Sequence, residues 1–220
     1  MSIKENLLKI TTSLPPHVTL IAVTKTQPIE KLMVIYQAGH KIFGENKVQE
    51  LVDKYEQLPK DIEWHLIGHL QTNKVKFIAP FVTLIHSVDS LKLLEEIDKQ
   101  AEKNNRVINC LLQIYIADED TKFGLSYAEA EELMHSKALS GLKNIKITGL
   151  MGMATNTGQK EQIANEFRSL KQFYDKTRSI SAFNFELNNL SMGMSSDYTL
   201  AIENGSTMVR VGSSIFGERS

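Results

Sequence analysis

Cysteine is all but missing from this sequence: Cys110 is the only one in 220 residues. A single thiol cannot close an internal disulfide, which excludes a disulfide-stapled scaffold and points to a reducing compartment. Cys110 lies in the apolar run Ile108-Asn109-Cys110-Leu111-Leu112, where a small buried hydrophobe is expected rather than a nucleophile. An excess of either charge is missing as well. With 25 basic and 26 acidic residues the formal charge is −1, so no broad field draws the protein to nucleic acid or to a membrane surface. No apolar run spans a bilayer, and Met1 to Asn6 lacks the basic-then-apolar pattern of an export signal. A cytoplasmic protein is expected. There is no low-complexity tract and no linker, so residues 1–220 read as a single domain. What is present is ordinary globular composition, 42% hydrophobic and 23% charged, in a regular alternation of segments.

The alternation begins with a helix over residues 2–13, stopped by Pro15-Pro16. Leu20-Ile21-Ala22-Val23-Thr24-Lys25 follows, a short apolar run that reads as a strand buried on both faces and ends in one lysine. Pro28 opens a helix with Ile29, Leu32, Met33 and Tyr36 on one face, and Gly39 ends it. Lys41–Gly44 is the second strand, followed by a helix reaching Leu58. Glu63–Gly68 is the third strand and Val82–His86 the fourth, with a helix over Thr72–Ile78 between them. Asp89 is the expected cap of a helix to Lys103. The fifth strand runs from Val107 to Ile116, and Asp118–Gly124 reads as a polar loop. Ser126 and Glu129 make a capping box for a helix to Lys137. The sixth strand is Ile145–Met151, and a long helix covers Gln159–Thr177. The seventh strand is Phe185–Leu190, after which Ser195 or Ser196 is expected to cap a short helix ended by Gly205. The eighth strand is Thr207–Val211. Eight β–α units imply a single (β/α)8 barrel of the TIM type, with an extra N-terminal helix and no second β domain. An open doubly wound sheet is the alternative, but no glycine-rich fingerprint follows the first strand.

In such a barrel the strand ends converge on one face, and Lys25 lies there. A partly shielded lysine has a lowered pKa and can form a Schiff base. The bland alternative is a charged residue at the edge of the core. Across the mouth, Ser191-Met192-Gly193-Met194-Ser195 and Val211-Gly212-Ser213-Ser214 follow the seventh and eighth strands. Their glycines, hydroxyls and helix N-termini fit an anion site, and barrels commonly hold phosphate in that position. An imine-forming lysine opposite a phosphate site suits an aldehyde that carries a phosphate, and pyridoxal 5′-phosphate fits best. Arg210, a charge inside an apolar strand, could donate to a pyridine nitrogen without protonating it; a rim salt bridge is the plainer reading. No metal site is expected, since His65 and His69 find no third ligand. His86 is expected to be a satisfied histidine, Asp118, Glu119 and Asp120 a solvated loop, and Met151, Met153, Met192 and Met194 pocket wall.

These residues resemble the motifs of the pyridoxal phosphate homeostasis family, also called the YggS/PROSC family. The resemblance rests on Ala22-Val23-Thr24-Lys25-Thr26, Phe43-Gly44-Glu45-Asn46-Lys47-Val48-Gln49-Glu50 and Trp64 to Lys74, with Leu190–Ser195 and Thr207–Gly217 at the other end. It implies a barrel similar to the N-terminal domain of alanine racemase and a cofactor held as an internal aldimine on Lys25. It also implies Asn46 near the cofactor, Ser191, Gly212 and Ser213 at the phosphate with Ser195 in the same turn, and Arg210 facing the pyridine nitrogen. The family is thought to carry or buffer the cofactor, with apo-enzymes that use it as potential partners, and has no established reaction. Barrels of this kind occur as monomers and homodimers. A weakly active racemase-like enzyme is the alternative function, but its relatives carry a second domain for which this chain has no room. A Schiff-base aldolase would need its lysine at the far end of the sixth strand, where Lys146 does not lie.

Overall fold

Each apolar segment expected as a strand is one, and each pairs in parallel with its successor until the last meets the first. The computed structural model describes residues 2–117, 123–180 and 183–217. The strands are β1 (Thr19–Val23), β2 (Ile42–Glu45), β3 (Glu63–Leu66), β4 (Leu84–Val88), β5 (Ile108–Tyr115), β6 (Ile145–Met153), β7 (Phe185–Met194) and β8 (Met208–Val211). They close in sequence order into an eight-stranded barrel, the (β/α)8 architecture expected. The helices are α1 (Ile3–Ser13), α2 (Ile29–Gln37), α3 (Val48–Gln57), α4 (Val75–Ile78), α5 (Leu91–Lys103), α6 (Tyr127–Met134), α7 (Lys137–Gly141), α8 (Lys160–Thr177), α9 (Tyr198–Glu203) and α10 (Ser213–Phe216). The N-terminal helix α1 starts with a capping box between Ser2 and Glu5 and buries Leu7 and Ile10.

Several local readings need correction. Ser90, not Asp89, caps α5: its hydroxyl accepts from the Leu93 amide at 3.3 Å. Asp89 instead approaches His69 at 3.5 Å. The helix expected to run to Lys137 breaks at His135, because Ser136 caps a new one through the Leu139 amide. The seventh strand continues past Leu190 to Met194, so part of the supposed turn is strand. A register shift against β8 accommodates it, and Gly193 supplies the needed backbone at φ +94°. A Cβ at Gly193 would come within 2.6 Å of the Ala201 side chain. Neither Ser195 nor Ser196 caps α9, which begins after Asp197. Of the polar loop Asp118–Gly124, residues 118–122, with all three of its acids, lie outside the described residues.

Alternate residues of each strand point into the barrel. Ile21, Leu84, Leu111, Met151 and Met208 form a small apolar cluster separate from the main core, with Ile42 packed against it. Outward residues such as Leu20, Ala22, Phe43 and Leu66 join the larger layer under the helices. Trp64 is fully buried there and meets Phe43 edge to face at 5.5 Å between ring centroids. The interior also holds a polar chain. His65 Nδ1 lies 3.0 Å from His86 Nε2, and His86 Nδ1 lies 3.0 Å from Ser191 Oγ. Arg210 Nη1 donates to that same hydroxyl at 2.6 Å. Arginine only donates, so the Ser191 hydroxyl accepts from Arg210; with its own proton turned to His86 the chain runs on from Ser191 to His86 and from His86 to His65, and both imidazoles are neutral. Burial holds His86 well below the usual histidine range and His65 down at about 3.

This burial sets an acid limit on stability. A histidine kept neutral in the fold but free to take a proton when unfolded leaves stability full above about pH 6.5 and drains it as pH falls toward the folded value. His65 alone is expected to lower the unfolding free energy by roughly 2 kcal/mol at pH 5 relative to neutral pH. Denaturant midpoints measured between pH 7.5 and 5 check this. In His65→Gln, which keeps an acceptor for His86, the slope over that range is expected to be shallower.

Candidate functional site

The period of two along the strands decides which side chains reach the barrel mouth. Lys25 continues the inward series Ile21, Val23; Asn46 follows β2; Arg210 lies within β8, beside Ile21 of β1. Together with Ile67, Met153, Met194, Ser195, Ser196, Gly212 and Ser213 they line one cavity of about 300 Å³ at the carboxyl ends of the strands. Lys25 and Asn46 are half-buried and Arg210 is buried. The Asn46 Oδ1 atom is buried without a hydrogen-bond partner among the described residues. An acceptor left open at a cavity wall is what a ligand donor would complete.

Opposite Lys25, the turns after β7 and β8 are tied together. Ser195 Oγ accepts from the Gly212 amide at 3.0 Å and from the Ser214 amide at 3.5 Å. Asp197 accepts from the Met194 amide at 2.5 Å and closes the first turn. The helices that follow, α9 and α10, are no more than two turns long. The anion-binding capacity therefore lies in individual amides and hydroxyls rather than in a helix dipole, a departure from the expectation. Gly212 is close against Val23: a Cβ there would lie 3.2 Å from the Val23 carbonyl oxygen.

Arg210 is fixed from behind. Nη1 donates to the Ser191 carbonyl at 2.9 Å as well as to its hydroxyl, and Nη2 donates to the Gly152 carbonyl at 3.0 Å. It is not a rim salt bridge. Burial lowers its pKa to about 10, against the attraction of Asp197, and it stays charged near neutral pH. Burial in turn pushes the Asp197 carboxyl up.

Of the residues singled out from sequence, Lys25, Asn46, Ser195, Arg210, Gly212 and Ser213 share the cavity wall. Ser191 does not. It is fully buried beneath Arg210, and its hydroxyl is taken by that arginine and His86, because β7 runs on through it. Met153 and Met194 line the cavity, while Met151 and Met192 are buried in the core. His65 and His69 are apart: the first is inside the barrel, the second half-exposed near Asp89 and against the ring of Phe123. Cys110 is fully buried, and burial pushes its thiol up. Lys146 lies at the start of β6, paired with Glu186, away from the mouth.

Sequence reasoning missed the support beneath Lys25. Lys54 of α3 is buried, and its Nζ donates to the Thr24 carbonyl at 2.7 Å, to Glu45 at 2.6 Å and to Glu50 at 2.7 Å. A signal was present: Lys54 stands three residues after Leu51, on the apolar face of its helix. Thr26 adopts φ +63°, a conformation that a β-branched residue takes at a cost of about 1–3 kcal/mol.

The whole chain, residues 1–220, matches the family model described as alanine racemase, N-terminal domain. It is 42% identical to the pyridoxal phosphate homeostasis protein of Aquifex aeolicus, over 91% of this chain and 86% of that one. PipY of Synechococcus elongatus PCC7942, whose structure with PLP bound is known, superposes with a TM-score of 0.88 at 36% identity, covering 98% of this chain and 100% of PipY. Alanine racemase of Clostridium difficile shares the fold, with a TM-score of 0.78 at 13% identity, and this chain spans 57% of its length. No described helix is long and apolar enough to cross a membrane. With that degree of identity along nearly its full length, the chain belongs to the pyridoxal phosphate homeostasis protein family.

Proposed function

We propose that this protein binds pyridoxal 5′-phosphate at the barrel mouth and serves in cellular pyridoxal phosphate homeostasis, holding the cofactor without a robust reaction of its own. One observation carries the reading: the cavity joins an amine, a guanidinium that is charged near neutral pH and two linked hydroxyl-rich turns, and no described residue lining it is a carboxylic acid, imidazole, phenol or thiol. That set can hold an aldehyde and a phosphate but offers no second acid or base to move a substrate proton. When bound, the cofactor supplies an aldehyde that a lysine can hold covalently and a ring that can withdraw electrons.

The residues fit that group. Lys25, half-buried at the end of β1, is the covalent anchor. The hydroxyls of Ser195 and Ser213 are assigned to the phosphate, and glycine at position 212 lets the backbone come close. The orphaned Asn46 Oδ1 is assigned to a donor on the ring. Arg210, held by Ser191 and Gly152, is assigned to the pyridine nitrogen. Its proton stays with it near neutral pH, so it would donate to that nitrogen without protonating it. Ser191 contributes by fixing Arg210 rather than by touching phosphate. The single buried thiol suits a cytoplasmic location.

Purified protein, or protein given pyridoxal 5′-phosphate, is expected to show a visible absorption band that borohydride bleaches, with the label recovered on the Lys25 peptide by mass spectrometry. Lys25→Ala loses both. No band in the wild type after adding the cofactor would overturn the assignment. Gly212→Ala is expected to keep the Lys25 linkage but to weaken retention by about 1 kcal/mol, roughly five- to tenfold in Kd, through the clash with Val23. Alanine of either hand added to loaded protein is expected to stay unracemised at enzymic rates, as followed by chiral chromatography.

A further inference from the structure

Lys25 is flanked by two backbone groups, and one ionic cluster on the outer side of the barrel wall holds both. The Thr24 carbonyl, just before it, accepts from Lys54 Nζ at 2.7 Å. The Thr26 amide, just after it, donates to Glu50 Oε1 at 2.5 Å. Lys54 joins the two halves by donating to that same Glu50 oxygen at 2.7 Å. Glu45 completes the cluster: its Oε1 accepts from Lys54 at 2.6 Å and from the Thr24 hydroxyl at 2.5 Å. The parallel strand β2 holds Thr24 on the other side, where the Thr24 amide donates to the Gly44 carbonyl at 2.9 Å.

The cost of this arrangement is visible twice. A lysine and a glutamate are withdrawn from water, and Glu45 Oε2 is left without a partner among the described residues. Thr26, β-branched and exposed, takes the left-handed conformation at φ +63°. Neither feature serves packing, since an apolar residue at position 54 would fill the same face of α3 more cheaply. What the two features share is the residue between them. The left-handed kink sets where the chain leaves β1, and the ionic cluster holds the kink in place.

We propose that Lys54, acting with Glu50 and Glu45, is a positioning residue for Lys25: it fixes the backbone on both sides so that the amine meets the ligand aldehyde in one orientation. The proposal rests on Lys25 being the covalent anchor. It separates two contributions to binding, the covalent link and the phosphate and ring contacts, and predicts that the cluster acts on the first alone.

Two probes distinguish them: pyridoxal 5′-phosphate, and pyridoxine 5′-phosphate, which has an alcohol in place of the aldehyde. Kd values for both are measured by fluorescence on wild type, Lys25→Ala, Lys54→Met, Glu50→Ala and Glu50→Gln. The wild type is expected to prefer the aldehyde, and Lys25→Ala to lose that preference. Lys54→Met and Glu50→Ala are expected to weaken pyridoxal 5′-phosphate by about tenfold or more while leaving pyridoxine 5′-phosphate unchanged. Glu50→Gln keeps an oxygen for the Thr26 amide and is expected to fall near the wild type. Equal weakening of both probes would make the cluster merely structural, and no weakening of either would make it irrelevant; each overturns the proposal while leaving the anchor intact. A wild type that binds both probes alike would overturn the anchor, and the positioning role with it. Should Lys54→Met fail to fold, the two Glu50 variants decide, since Glu50 is partly exposed.

Discussion

Closing a parallel sheet on itself forces alternate residues of every strand into one narrow interior, and the rest of this molecule follows from that constraint. At one level the interior is filled by Ile21, Leu84, Leu111, Met151 and Met208, which makes the barrel solid. Beyond them it holds a charge. A guanidinium in such a place is tolerable only if its protons find acceptors, and the Ser191 hydroxyl with the Ser191 and Gly152 carbonyls supplies them. The imidazoles of His86 and His65 extend the chain inward without adding a second charge. Arg210 is thus satisfied where it lines the mouth cavity.

The same barrel occurs in alanine racemase at 13% identity, so the scaffold does not decide the chemistry. What decides it is the small set of side chains that the strand ends expose. Here the cavity wall combines one amine, one guanidinium, an amide, hydroxyls and apolar surface.

Much of the architecture was legible because its signals are local. Apolar runs of four to eight residues, separated by helices with a period of 3.6, identify β–α alternation, and Pro and Gly punctuate it. The errors arose where tertiary contact overrules local preference. Leu190 looked like the end of a strand because Ser191 is polar, yet pairing with β6 and β8 carries β7 through to Met194 and buries Ser191 under Arg210. Asp89 looked like a helix cap, but the neighbouring Ser90 had the geometry. Lys54 carries no motif that singles it out, and only its position on the apolar face of its helix marks it as buried.

By itself, the sequence determined the barrel, its order of strands, Lys25 at a strand end and the Gly/Ser turns opposite. These depend on residue type and short-range spacing, which a linear chain displays in full. Only the tertiary structure decided which polar groups meet. The closure of β8 onto β1 placed Arg210 beside Ile21, and the β7–β8 register set Ser191 beneath the guanidinium. The packing of α3 on the outer wall brought Lys54 against the Thr24 carbonyl, thirty residues away in the chain. Such contacts depend on distances in three dimensions between segments far apart in sequence, and spacing along the chain carries no record of them.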